Sequence, residues 1–346
     1  MYDIKSMDEN EIAELLCGMG QPKYRASQIY KWVADGVESF DEMSNIPVSL
    51  RNLLKEKCYI YCPEVLARQV SVDGTVKFLW GLRDGNSVES VVMRYRHGNT
   101  VCISTQVGCR MGCRFCASTR GGLVRNLEPG EMLDQVRYSG KEADVKISNV
   151  VLMGIGEPLE NFENVMKFLK LVNSDAGLNI GMRHISISTC GPEGGIEKLA
   201  DRDLQITLSV SLHAPDDETR SKIMPVNRNT GVEKLVEDCR RYYERTGRRI
   251  SFEYLMADGI NDSDQHARKL AILLMGMGAH VNLIPLNRIE GSEFVPSSGE
   301  RVKAFIEILE KNGINVTVRR RMGADIAAAC GQLRRRKPTE QDDGCN

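Results

Sequence analysis

The first 62 residues show a helical pattern of apolar positions. Ile12 and Leu16 are four residues apart, and Ile29 and Val33 repeat that spacing. Apolar residues three or four positions apart lie on one side of an α-helix, where a neighbouring element can cover them. We therefore predict a small helical accessory domain over residues 1–62.

The next segment, residues 63–99, alternates apolar and polar positions. The alternating runs are 65–72, 76–82 and 87–95. Asp73-Gly74 separates the first two runs, and Asp84-Gly85-Asn86 separates the last two. An Asp-Gly step between such runs is a strong signal for a tight hairpin turn. The pattern predicts an antiparallel β meander that leads into the core.

After residue 100, β-branched runs alternate with amphipathic stretches. Predicted strands are 101–107, 149–153, 184–189, 205–212, 251–256, 280–284 and 314–318. Predicted helices are 129–141, 162–173, 195–201, 231–245, 263–275 and 300–312. Repeated β-α units imply a parallel sheet, with active residues at the carboxyl ends of its strands. We predict an α/β fold with a partial (β/α)6-type barrel over residues 100–333, followed by a basic polar tail over 334–346.

Composition narrows the class of protein. Hydrophobic residues make up 42% and charged residues 27% of the chain, which is typical of a globular protein. The net charge of -1 gives no overall attraction to nucleic acid, although Arg319, Arg320 and Arg321 form a local basic cluster. Neither a secretory leader nor a bilayer-spanning run is evident, so we expect a cytoplasmic monomer without a membrane partner. The 11 cysteines fit a reducing compartment, in which thiols serve as ligands or catalysts.

Three cysteines lie close together after the first predicted strand of the α/β core. Cys109, Cys113 and Cys116 have the spacing Cys-x3-Cys-x2-Cys, which can turn three thiolates towards one centre. Soft thiolate ligands select iron-sulfur clusters or zinc. A fourth ligand is missing locally, which leaves either an iron open to an outside molecule or a zinc site completed from a distant residue.

Polar residues follow the predicted strands at their carboxyl ends. Gly156-Glu157 follows the second strand, where a glycine admits a ligand and a carboxylate can receive an ammonium group. Candidates at the ends of later strands are Ser188, Ser211, His213 and Asn287. Such groups can line one polar pocket, although any of them can equally serve as a cap or turn residue.

Two other residues are unusual for their surroundings. Glu89 is flanked by apolar residues in a predicted strand, where a carboxylate is rare unless that face is exposed. Cys330 follows an alanine-rich stretch, which ordinarily marks a small buried packing residue.

The motifs together resemble a known family. The cysteine loop is similar to the signature loop of the radical S-adenosylmethionine (AdoMet) superfamily. The chain is identified as a member of the RlmN family of dual-specificity RNA adenine methyltransferases by six segments in order: VCISTQVGCRMGCRFCAS, VVLMGIGEPLEN, RHISISTCG, LSVSLHAP, VNLIPLN and AACGQL. The resemblance extends from the accessory domain to Leu333.

The resemblance implies a function, two cofactors and their ligands. The family methylates carbon 2 of adenosine 2503 in 23S rRNA and of adenosine 37 in tRNAs. A 4Fe-4S cluster held by Cys109, Cys113 and Cys116 would bind AdoMet at its open iron. The residues that match the family's AdoMet contacts are Gly156, Glu157, Ser188, Ser211, Leu212, His213 and Asn287. A reducing electron donor, such as a flavodoxin-like protein, is also implied.

The resemblance further implies a covalent mechanism in which two AdoMet molecules are used in turn. Cys330 matches the cysteine that is first methylated and then carries the carbon to the base. Glu89 aligns with the general base that removes the carbon-2 proton. Cys102 aligns with the thiol that releases the product by forming a disulfide with Cys330.

Three alternatives remain open. A relative that methylates carbon 8 of the same rRNA adenosine shares the cysteine loop and both reactive cysteines, and the modified nucleoside would distinguish it. A radical AdoMet enzyme for a small molecule would show no RNA methylation. A non-enzymatic iron-sulfur module would not cleave AdoMet.

Overall fold

The computed structural model describes residues 1–96, 98–287, 293–328 and 331–333. The strands are β1 (Tyr2–Asp3), β2 (Cys58–Tyr59), β3 (Glu64–Val70), β4 (Val76–Gly81), β5 (Ser87–Tyr95), β6 (Gly98–Cys102), β7 (Gln106–Gly108), β8 (Leu123–Asn126), β9 (Ile147–Leu152), β10 (Ile185–Thr189), β11 (Thr207–Ser211), β12 (Ile250–Met256), β13 (Ala279–Pro285) and β14 (Asn315–Val318). The α-helices are α1 (Glu9–Gly18), α2 (Arg25–Asp35), α3 (Val48–Lys57), α4 (Pro129–Glu142), α5 (Phe162–Val172), α6 (Gly195–Ala200), α7 (Asp217–Ile223), α8 (Val232–Thr246), α9 (Asp264–Leu274) and α10 (Gly299–Lys311).

One ten-stranded sheet organises these elements, in the order β14-β13-β12-β11-β10-β9-β6-β5-β4-β3. Neighbours from β6 to β14 run parallel, with helices in the connections between them. Strands β5, β4 and β3 extend the sheet in antiparallel fashion. Within the described residues the sheet ends at β3 and β14 and does not close. The predicted α/β fold, with a partial barrel and an antiparallel extension, is confirmed.

The predicted strand 101–107 is wrong in its extent. Strand β6 ends at Cys102, and β7 pairs with β8 in a separate small sheet. The chain leaves the main sheet because the backbone N–H groups of Thr105 and Gln106 both donate to the Ile155 carbonyl, at 2.8 and 3.2 Å. This turn carries the following cysteine loop over the carboxyl end of β9.

The two faces of the sheet have different chemistry because side chains alternate along each strand. Apolar side chains such as Ile187, Val210, Phe252 and Val281 pack under the helices in the main core. The residues that follow them in sequence are Ser188, Ser211, Glu253 and Asn282. Polar side chains therefore populate the other face, which we call the pocket face.

The N-terminal helices have a hydrophobic cluster of their own, formed by residues from Ile4 to Cys58. A buried ion pair joins this region to α4, with Lys5 Nζ 2.5 Å from Asp134 Oδ2. Lys5 Nζ also donates to the Tyr61 carbonyl. Burial raises the pKa of Asp134 to about 6, although the nearby Lys5 ammonium opposes the shift. The predicted boundary at residue 62 stays a prediction. No helix in the described ranges is long and apolar enough to cross a membrane.

Replacing Lys5 with Met should destabilise the protein by roughly 3 kcal/mol, because it leaves the buried Asp134 carboxyl without its cation. Urea denaturation at neutral pH measures the change in the free energy of unfolding. The double variant Lys5→Met/Asp134→Leu should recover most of the loss.

The control is Lys222→Met, which removes an exposed ion pair to Glu218 within α7. It should change the free energy of unfolding by less than about 1 kcal/mol. Equal losses from Lys5→Met and Lys222→Met would contradict a special role for the buried pair.

Candidate active site

A pocket lies beside the carboxyl ends of the parallel strands and collects most of the predicted site residues. Those that line it are Cys109, Cys113, Cys116, Gly156, Glu157, Ser188, Ser211, His213 and Asn287. Strand ends meet at one edge of a parallel sheet, which explains how residues so far apart in sequence come together. All three cysteines and six of the seven predicted AdoMet contacts therefore share one cavity.

Two glycines give the cysteine loop its shape. Gly108 and Gly112 have φ values of 79° and 74°, in the left-handed region. A Cβ on Gly108 would lie 1.9 Å from the Gly122 carbonyl oxygen, so no other residue fits there. The Cys109 N–H donates to that same carbonyl at 3.1 Å, which fixes the first cysteine against the β7–β8 pair.

The three thiols fit an iron-sulfur cluster by their chemistry. Burial raises the pKa of Cys109 to about 12, and burial with the neighbouring Cys116 and Cys109 thiols raises the pKa of Cys113. Buried thiols become thiolates only beside a strong positive charge, which a cluster's iron supplies. Among the described residues, no group of three or more His, Cys, Asp or Glu side chains is arranged to hold a single metal ion. The spacing of the three cysteines and their position in the pocket favour a cluster.

The Glu157 carboxylate is fixed in position by the fold. Its Oε1 accepts hydrogen bonds from the Leu159 N–H at 2.9 Å and from Thr189 Oγ1 at 2.7 Å. Its Oε2 accepts one from the Cys190 N–H at 2.9 Å. Burial raises the pKa of Glu157, and these bonds oppose the shift. A carboxylate has about four acceptor positions, so Oε2 keeps capacity for a ligand's ammonium group.

The pocket needs glycine beside Glu157. Gly156 has a φ of 112°, and a Cβ there would come within 2.7 Å of the Gln106 Cβ. The residue is therefore held to glycine by both conformation and space, as expected where backbone and ligand approach closely.

His213 is neutral and presents one ring N–H. Burial, aided by the nearby Arg220 charge, lowers the pKa of His213 to about 3. Its Nδ1 accepts a hydrogen bond from the Leu255 N–H at 3.0 Å, so the proton lies on Nε2. Phe115 packs edge to face against the ring, with 4.9 Å between centroids. The imidazole is thus a fixed hydrogen-bond donor in the pocket.

Leu212 is the one predicted AdoMet contact that does not line the pocket. Its side chain is fully buried in the core beneath the helices. Its N–H donates to the Glu253 carbonyl at 3.1 Å, and its carbonyl accepts from Arg220 Nε at 3.1 Å. Alternation along β11 turns Leu212 away from Ser211, so it supports the strand end.

The Arg220 side chain donates hydrogen bonds to the backbone at the ends of neighbouring strands. Its side chain is fully buried. Besides the Leu212 carbonyl, its guanidinium donates to the Cys190 carbonyl at 2.8 Å and the Ser211 carbonyl at 3.2 Å. It also donates to Asn227 Oδ1 at 2.9 Å. The ends of β10 and β11 therefore share one buried cation.

Sequence reasoning missed Glu253 and Arg319, which both line the pocket. Arg319 Nη1 lies 3.6 Å from Glu253 Oε2, and Asn282 Nδ2 donates to the same oxygen at 2.9 Å. Burial raises the pKa of Glu253, against the opposing charge of Arg319. A carboxylate between Phe252 and Tyr254 in an apolar strand was the available signal, since the same anomaly marked Glu89.

Glu89 and Cys102 lie on the pocket face of β5 and β6 and do not line the pocket itself. Glu89 is only 1% exposed, and Cys102 packs with Val91 and Ala328 in one buried cluster. Cys330 lies outside the described residues. The predicted disulfide between Cys102 and Cys330 therefore stays a prediction.

The described residues on either side of Cys330 lie close to Cys102 and to the pocket. Ala328 belongs to the Cys102 cluster, and Gly331 lines the pocket. The Gly331 carbonyl accepts from the Ala117 N–H at 2.8 Å, one residue past the last loop cysteine.

Comparison with known proteins agrees with this arrangement. The Radical SAM superfamily model matches residues 103–271, and the model of the ribosomal RNA large subunit methyltransferase N-terminal domain matches residues 2–60. A probable dual-specificity RNA methyltransferase RlmN from Desulforamulus reducens is 53% identical, over 96% of each chain. The chain belongs to the RlmN family. A Clostridium tetani protein of the same name is 50% identical, over 97% of each chain.

A solved structure extends the likeness to the fold. The crystal structure of a radical SAM methyltransferase from Sphaerobacter thermophilus has a TM-score of 0.90 and 42% identity, covering 96% of this chain and 99% of that one. As an RlmN-family member, the protein is a radical AdoMet RNA methyltransferase that uses a 4Fe-4S cluster and AdoMet.

Replacing Cys113 with Ala should abolish the stoichiometric cluster and with it reductive AdoMet cleavage, because two thiolates cannot hold the open-iron cluster. Iron and sulfide content and 5'-deoxyadenosine release measure both effects. Cys239→Ala is the matched control, since that thiol is buried in the core on α8. A Cys113→Ala protein with full iron content and full cleavage would overturn the ligand assignment.

Proposed function

We propose that this protein methylates carbon 2 of adenosine 2503 in 23S rRNA and of adenosine 37 in tRNAs, through an S-methylcysteine at Cys330. The observation that carries the proposal is the gathering of Glu89, Cys102 and the residues flanking Cys330 beside the pocket of the three loop cysteines. The names of the relatives, dual-specificity RNA methyltransferases, support two RNA substrates.

The target atom explains why such a site is needed. Carbon 2 of adenine is an electrophilic amidine carbon, so it does not attack a methyl sulfonium as a nucleophile. AdoMet and the cluster, when bound, supply both a methyl group and a radical that activates it. The protein's own residues bind and orient the cofactors and the base, and they give or take protons at defined atoms.

Different pocket residues bind the cluster and AdoMet. Cys109, Cys113 and Cys116 hold the cluster in this proposal. The fixed Glu157 carboxylate receives the AdoMet ammonium group in a charge-assisted hydrogen bond. The His213 ring N–H on Nε2 is available to an acceptor atom of the ligand. Ser188, Ser211 and Asn287 add further polar contacts.

Glu89, Cys102 and Cys330 are the groups that act on RNA in this mechanism. Cys330 carries the methyl-derived carbon to carbon 2. The Glu89 carboxylate accepts the carbon-2 proton as a general base. The Cys102 thiolate then attacks the Cys330 sulfur, so that a disulfide forms, the carbon–sulfur bond to the base breaks, and the released carbon takes up a proton from solvent to become the methyl group. The target base must leave its stack to reach these groups, which is easiest in single-stranded loops.

The partners of the enzyme are its RNA substrates and an electron donor. The accessory region, residues 1–62, contacts RNA alongside the core. A low-potential electron donor of the flavodoxin type reduces the cluster. The enzyme works in the cytoplasm, where rRNA and tRNA are modified, and it works as a monomer.

Nucleoside analysis tests the substrate and the position of the methyl group. Cells that lack the gene should have no 2-methyladenosine in either 23S rRNA or tRNA, and complementation should restore it in both. Mass spectrometry with synthetic standards distinguishes 2-methyladenosine from 8-methyladenosine. Restoration of 8-methyladenosine instead would assign the protein to carbon-8 methylation, and complementation by Cys330→Ala would refute the methyl-carrying role.

Replacing Cys102 with Ala should stall the reaction after the base is attached, leaving RNA covalently bound through Cys330. Nuclease treatment followed by peptide mass spectrometry should find the adduct on the Cys330 peptide. Cys58→Ala, which alters a buried thiol in the N-terminal cluster, should show none. Normal turnover by Cys102→Ala without an adduct would remove the disulfide step.

A further inference from the structure

A buried lysine shares the pocket face with the proposed base. Lys77 on β4 pairs directly with Val91 on β5, and Val91 pairs with Cys102 on β6. Directly paired residues of neighbouring strands point to the same side of a sheet. Glu89 is two residues before Val91 and therefore lies on that side as well. Lys77, Glu89 and Cys102 thus lie on one face of three adjacent strands.

Lys77 interacts with the Glu89 carboxylate at close range. Lys77 Nζ lies 3.7 Å from Glu89 Oε1, and the two side chains are 6% and 2% exposed. Water screens a pair this deeply buried only weakly, so the ammonium strongly favours the ionised carboxylate. The ionised form is the one that can accept a proton. Lysine is costly to bury and is rarely found so deep without a specific partner.

Lys77 also holds the segment that leads to Cys330. Its Nζ donates to the Ala327 carbonyl at 3.3 Å. Ala327 has a φ of 49°, a left-handed conformation that a non-glycine residue adopts at some cost. The same ammonium group therefore contacts the proposed base and a carbonyl three residues before the methyl-carrying cysteine.

Other contacts dock this segment on the β3–β4 hairpin without involving Glu89. The Gly323 N–H donates to Asp73 Oδ2 at 2.9 Å, and Ser71 Oγ donates to Asp325 Oδ1 at 2.5 Å. The Val72 N–H donates to Asp325 Oδ2 at 3.2 Å. These bonds can be altered separately from the Lys77 contacts, which makes a matched control available.

We propose that Lys77 is a positioning residue for RNA methylation: it keeps Glu89 ionised and aimed beside the segment that carries Cys330. Lys77 itself touches neither RNA nor AdoMet in this role and acts through Glu89. The assignment rests on the proposed function, in which Glu89 removes the carbon-2 proton.

A double-mutant cycle in the full-length, cluster-reconstituted enzyme tests the assignment. The single-turnover rate of RNA methylation is measured for Lys77→Met, Glu89→Gln and the double variant, starting from enzyme whose Cys330 is S-methylated. Glu89→Gln should lower the rate by about 100-fold or more, as for loss of a general base. Lys77→Met should lower it by at least about tenfold in the wild-type background, and by less than about threefold in the Glu89→Gln background.

Two further variants separate charge from structure. Lys77→Arg keeps the cation and should stay within about tenfold of the wild-type rate. Asp325→Asn disturbs the docking of the segment and leaves the Lys77–Glu89 pair intact, so it should slow the reaction less than Lys77→Met. Thermal melting checks folding, and Lys77→Gln replaces Lys77→Met in the cycle if the latter does not fold.

Three outcomes would overturn the role of Lys77. The first is a rate loss in the double variant equal to the product of the two single-variant losses. The second is an equal rate loss from Lys77→Arg and Lys77→Met. The third is a rate loss from Asp325→Asn as large as that from Lys77→Met. Failure of the proposed function looks different: the wild-type enzyme would cleave AdoMet without methylating RNA at carbon 2. That result would remove the assignment of Glu89 and of Lys77 together.

Discussion

The buried guanidinium of Arg220 is the interaction on which the geometry of the pocket depends. It is fully buried and donates to backbone carbonyls at the ends of two parallel strands. Cys190, one of its acceptors, also donates to Glu157, and Leu212, another, is followed directly by His213. A positive charge buried here is compatible with a pocket that gathers several thiols and a carboxylate. The protein's own contacts thereby fix the strand ends, as precise placement of a reactive group requires.

The site is divided between two parts of one sheet. The parallel strands end around the pocket, where Glu157 and His213 are held by backbone N–H groups. The antiparallel extension begins at β5, where Glu89 lies, and β5 pairs with β6, which carries Cys102. One continuous sheet keeps both parts in fixed register.

Sequence alone predicted most of this site because its signals are local. The cysteine spacing and the glycines at strand ends follow from short-range geometry, and both were interpreted correctly as members of one pocket. Leu212 does not line the pocket because its side chain turns to the core face, and a motif match carries no information on side-chain direction. The strand 101–107 was extended too far because its end depends on the distant Ile155 carbonyl. Lys77 could not be found at all, since its pairing with Glu89 exists only after two strands are in register.

The docking of Gly323 and Asp325 on the β3–β4 hairpin has a consequence for biosynthesis. These bonds join residues about 250 positions apart, so they form only after nearly the whole sheet has left the ribosome. Contacts of such long range are made late in folding. A nascent chain can therefore assemble the cysteine loop and its surrounding strands while the segment that leads to Cys330 is still undocked. The contact of Lys77 with the Ala327 carbonyl is likewise absent until that segment docks, so the complete site is among the last parts of the molecule to form.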